Sequence, residues 1–74
     1  MSIEEIAQKV GEAFLNRDVI RLSFRDNDKE PRWCLVNAVD SRQCDIEFNA
    51  LLNDGLFVTA LATISYKDIL KVSF

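Results

Sequence analysis

Histidine does not occur in this chain of 74 residues, and proline, tryptophan, tyrosine and methionine occur once each. Without histidine there is no imidazole to act as general base, to activate a serine or cysteine, or to ligate a metal. The two cysteines, Cys34 and Cys44, are too few for the four ligands of a structural zinc site. They are also too few for a disulfide-stapled secreted domain. A bridge needs Cα atoms within about 7 Å, whereas a tight turn at Ser41 and Arg42 sets Cys44 opposite Val39, so both thiols read as small core residues. With two glycines in all, the chain has no Gly-rich phosphate loop. No apolar run approaches the ~18 residues of a membrane helix. No charged start with an apolar stretch marks a signal peptide, so a reduced, cytoplasmic setting without membrane contact is the expectation.

The charge balance is acidic: nine Lys and Arg against twelve Asp and Glu, net −3. Dedicated nucleic-acid binders draw most of their affinity from neutralising phosphates, so any nucleic-acid contact here is expected to be weak and confined to a local patch. Hydrophobic residues make up 49% of the chain, enough for one core and hence a single domain over residues 1–74. A chain this short hides only ~60% of its extended surface on folding. Apolar surface is left over, and association through strand edges into a homo-oligomer is the expected way to cover it.

Ser2 and Glu5 have the spacing of a capping box. Behind them Ile3, Ile6, Ala7, Val10, Ala13 and Phe14 recur at helical spacing, which predicts a helix over 3–15 that stops at Asn16 in the left-handed conformation. Ile6, Val10 and Phe14 are its expected contacts with the rest of the fold. Val19 to Arg25 alternates as a half-buried strand. Asp26 to Pro31 reads as a charged loop. Trp33 to Val39 is a second strand, apolar on both faces apart from Asn37. Gln43 to Leu52 is a third, with Cys44, Ile46 and Phe48 on its apolar face. Asn53-Asp54-Gly55 is a strong turn signal, and the charge-free Leu56 to Ser65 is a long fourth strand. Tyr66-Lys67-Asp68 forms one tight turn before a fifth strand, Ile69 to Phe74. Connections this short join antiparallel strands only. The fold class is therefore mainly β (α+β): an N-terminal helix followed by a five-stranded antiparallel small barrel, a strand order that resembles those of Sm-like and SH3-like barrels.

That order is similar to the Sm-like family, including its bacterial Hfq-type members. Val36-Asn37-Ala38-Val39-Asp40 resembles the family's second-strand pattern, Asp45-Ile46-Glu47-Phe48 its alternating third strand, and Ile64-Ser65-Tyr66-Lys67-Asp68-Ile69 its Tyr-Lys-His segment. Asp68 stands at the family's His, and the family's first-motif glycines have no counterpart. The resemblance implies subunits that join fourth strand to fifth, and it assigns Tyr66 and Lys67 to an RNA pore.

Arg21, Arg25, Arg32 and Arg42, with Trp33 nearby, are the candidate patch for nucleic acid or a protein partner, since arginine and an aromatic ring suit phosphate contact and base stacking. Asp26, Asp28 and Glu30 alternate like a calcium loop but lack the glycine and the distal Glu that such a loop needs, so a solvated tip is the expectation. The acids Asp18, Asp26, Asp28, Asp40, Asp45, Glu47 and Asp54 are scattered over loops and outer faces, with no pair spaced for acid–base work. No catalytic residue, metal or cofactor is expected. The sequence reads as a non-enzymatic, homo-oligomeric binding or assembly module with weak RNA binding at most. The alternative is a small protein-interaction module, a subunit or inhibitor of a larger complex, with no nucleic-acid role.

Overall fold

The computed structural model describes residues 1–25, 27–52, 57–58 and 60–74, with backbone only at 27–30, 52 and 57–58. Helix α1 (Ile3–Asn16) starts where the capping residues require. Ser2 Oγ accepts from the Glu5 N–H at 3.1 Å and donates to Glu5 Oε1 at 3.2 Å. The stop comes one residue beyond Asn16. Arg17, at φ 58°, takes the left-handed position, and the Asp18 N–H reaches back to the Ala13 carbonyl at 3.0 Å. That bond closes a Schellman-type end and satisfies a carbonyl the helix would otherwise leave open.

Strands β1 (Val19–Phe24), β2 (Asn27–Asp40), β3 (Asp45–Leu52), β4 (Phe57–Val58), β5 (Ala62–Ser65) and β6 (Ile69–Ser73) are antiparallel to their neighbours. The sheet runs β4–β3–β2–β1–β6, with β5 also on β3. β4 and β5 thus share the place of the expected fourth strand. The register along β3 changes by one residue between Leu51↔Val58 and Phe48↔Ala62, which breaks that strand in two. A single 3₁₀ turn, Tyr66–Asp68, separates β5 from β6 as expected. Among the described residues no pairing joins β6 to β4 or β5, so the sheet is open.

β2 begins earlier than its sequence suggested, because Asn27 already pairs with Phe24. Pro31 falls between that pair and Leu22↔Arg32, where the register is broken; proline has no N–H to offer a ladder, so the break accommodates it. The calcium-like side chains of Asp26, Asp28 and Glu30, and the Asn53-Asp54-Gly55 turn, lie outside the described residues.

One core joins helix and sheet. Ile6, Val10 and Ala13 meet Ile20, Leu22, Cys34, Val36, Ile46, Ile69 and Val72, all buried. Full burial of each aliphatic side chain is worth about 1.5–3 kcal/mol. Phe14 is only half-buried against this cluster, and Arg17 covers its ring, the guanidinium carbon 5.4 Å from the centroid. Cys34 is a core residue as expected, but Cys44 is exposed. The reason is local. Asp40 Oδ1 accepts from the N–H groups of Arg42 and Gln43 at 3.0 and 3.1 Å, which winds residues 41–44 into a turn that ends with Cys44 at φ 54°. β3 then starts at Asp45, opposite Asp40.

Candidate functional site

The residues singled out from sequence fall into separate places. Strand alternation turns Ile20 and Leu22 inward, so Arg21 faces out. It sits opposite Trp33 across the β1–β2 ladder, its guanidinium carbon 5.3 Å from the ring centroid. Trp33 is 43% exposed and lies on the outer face of the sheet, away from the core. Arg32 stands opposite Leu22, so it points to the other side of the sheet from Trp33.

Arg25 is occupied by the turn before β6. Its Nε and Nη2 donate to the Lys67 carbonyl at 3.1 and 2.9 Å, and its backbone N–H donates to the Asp68 carbonyl at 2.8 Å. Arg42 lies in the β2–β3 turn and lines a cleft with Asp40, Asp45, Glu47 and Thr63. The four arginines therefore do not make one basic surface; Arg21 with Trp33 is the pair the fold brings together.

Tyr66 is buried and Lys67 exposed. The Tyr66 N–H donates to the Cys44 carbonyl at 2.8 Å, which ties the 3₁₀ turn to the β2–β3 turn. Burial is the main cause that pushes the Tyr66 hydroxyl above its ordinary range, with Cys44, Asp45 and Asp40 adding to it. Around this tie lies a groove of about 290 Å³ lined by Ile3, Gln43, Cys44, Ser65, Tyr66 and Lys67. Gln43 and Cys44 were not legible as groove residues, since they read as the start of a strand. Asn37 and Asn49 are a second feature missed from sequence: the Asn37 amide donates across β2–β3 to Asn49 Oδ1 and also to the Leu35 carbonyl at 3.3 Å.

Cys34 offers no nucleophile. Burial pushes its thiol up to about 12, against a smaller opposing pull from Arg32, and a thiol neutral at ordinary pH does not attack. Among the described residues no three Cys, Asp or Glu side chains are placed to hold a metal ion. No helix among them is long and apolar enough to cross a membrane.

The sheet ends are the remaining surface of interest. On β5, Ala62 and Thr63 are both exposed although they point to opposite faces. Leu61 beside them is 55% exposed, and on the β6 side Leu70 and Phe74 are 39% and 55% exposed. No family model matches this chain, and neither a curated protein nor a solved structure matches it.

Proposed function

We propose that this protein is a non-enzymatic, Sm-like binding and assembly module of the cytoplasm, whose copies join edge to edge, β5 of one against β6 of the next. The observation that carries the reading is the unprotected β5 end of the sheet. An edge strand presents unpaired N–H and C=O groups, and a strand left in water normally carries a lysine, a proline or a bulge as protection. Ala60 to Ser65 has no charge and no proline, and its exposed Leu61, Ala62 and Thr63 leave both faces of the strand uncovered. The strand order and the tight turn between the two edges agree with the Sm-like resemblance. The missing histidine and the buried, protonated Cys34 support a role without catalysis.

Light scattering tests this directly. The wild type is expected to exceed the 8.5 kDa of one chain, and Thr63→Lys to return it to that mass with an unchanged circular-dichroism spectrum. A wild type that holds one-chain mass at high concentration sinks the reading.

A second reading has its own observation, the exposed Trp33 beneath Arg21. On that reading the chain is a small protein-interaction module, and the outer sheet face is its contact. Trp33→Ala would then abolish partner capture while Thr63→Lys would not.

A further inference from the structure

We propose that the Met1 thioether is a built-in competitor for the β6 edge, holding the backbone N–H that an incoming strand would take. The proposal rests on the reading that β6 receives a strand from a second copy, and it adds a control on that step.

β6 pairs with β1 through Arg21↔Ser73, Leu22↔Val72 and Ser23↔Lys71. In an antiparallel ladder, opposed residues alternate between pairs that exchange both hydrogen bonds and pairs that exchange none. The Val72 N–H donates to Met1 Sδ at 3.4 Å, so Leu22↔Val72 is a pair of the second kind. The Val72 N–H and C=O therefore point away from β1, at the middle of the strand's outer edge. These are the groups to which an added strand would bond.

A thioether sulfur is a weak acceptor and a peptide carbonyl a strong one. Replacing the first by the second gains hydrogen-bond strength. Until a partner arrives, the sulfur occupies this N–H on the solvent side of the edge. Met1 is 48% exposed, whereas Val72 is 1% exposed. The methionine thus lies over the edge from the solvent side and can leave without opening the core. β6 carries two further protections, Lys71 and the bulge at Leu70, where the register with β1 shifts. Met1 differs from both in being removable. It raises the concentration at which association begins without forbidding it.

Met1→Leu keeps the bulk and removes the acceptor; it is made by release from a cleavable leader. Light scattering over a dilution series reads the concentration of half-association. That concentration is expected to be about threefold lower for Met1→Leu than for the wild type, the size of a weak hydrogen bond. Methionine occurs once in the chain, so carbon-13 labelling of its methyl group reports Met1 alone in the wild type. Its resonance is expected to move to the position of a freely rotating methionine as association proceeds. Equal half-association concentrations, or a methyl resonance indifferent to association, overturn the proposal and leave edge pairing standing. A wild type that never associates removes edge pairing and the proposal together.

Discussion

Arg21 lies over the ring of Trp33, the two held opposite each other by the β1–β2 register. Such a contact is worth about 0.5–1 kcal/mol at an exposed site, and it presents a flat ring and a cation to solvent side by side. The other arginines are drawn elsewhere, Arg25 by the Lys67 carbonyl and Arg42 into a cleft that also holds Asp40, Asp45 and Glu47.

One ring and one cation give little affinity for a polyanion. Single-stranded RNA is therefore expected to bind more weakly than micromolar at physiological salt, and the binding to weaken further as salt rises. The single tryptophan is the probe: its fluorescence should be quenched by RNA only at low salt, and the quenching should vanish in Arg21→Glu. Sub-micromolar binding, or binding indifferent to that charge reversal, would refute the expectation.

The helix is an integral part of the core. Ile6→Ala should cost about 2–5 kcal/mol, because a side chain 1% exposed leaves a cavity when truncated. Phe14→Ala should cost distinctly less, since its ring is half-buried and faces Arg17. Urea melts of the two variants against the wild type test the order; equal costs would place the helix stripe wrongly.

Alkaline pH should destabilise the protein through Cys34. Its thiol rises from an ordinary 9.0 to about 12 because burial disfavours the thiolate. A raised folded value contributes stability that is whole below the unfolded value and is lost as pH climbs towards the folded one. The loss should therefore run from about pH 9 upward, with Tyr66 adding in the same direction. Melting temperatures of wild type and Cys34→Val against pH should diverge in that window and run parallel below it. A constant difference across it would rule the effect out.

Cys44 should behave oppositely to Cys34. It is exposed where Cys34 is buried, so a thiol reagent should label it in the folded protein and reach Cys34 only after denaturation. Its left-handed backbone, φ 54°, is costly for a residue with a Cβ and easy for glycine. Cys44→Gly should raise stability by about 1 kcal/mol or less in chemical denaturation, the left-handed cost of about 1–2 kcal/mol being partly offset by glycine's greater loss of chain entropy. A loss of stability would mean that the Cys44 Sγ contact to the Ser41 carbonyl, at 3.6 Å, matters more than the backbone.

Much of the architecture was decided by the sequence alone, wherever the deciding signal spans a few residues. The Ser2–Glu5 cap and the helix stripe set α1. The alternation of Ile20 and Leu22 with Arg21 set the inner face of β1. Short connections forced antiparallel order, and Tyr66-Lys67-Asp68 marked the turn before the last strand. Tertiary structure decided what depends on a partner. Trp33 lies in a strand apolar on both faces, so only its placement opposite Arg21 shows that it points outward. Cys44 alternates correctly with Ile46 and Phe48 and still misses the core, because the Asp40 carboxylate captures two backbone N–H groups and winds the chain before β3 begins. The break between β4 and β5 arises from the register on β3, and the contact of Met1 with Val72 spans the length of the chain. Neither leaves a local trace, because each is a hydrogen-bonding choice made only when distant strands meet.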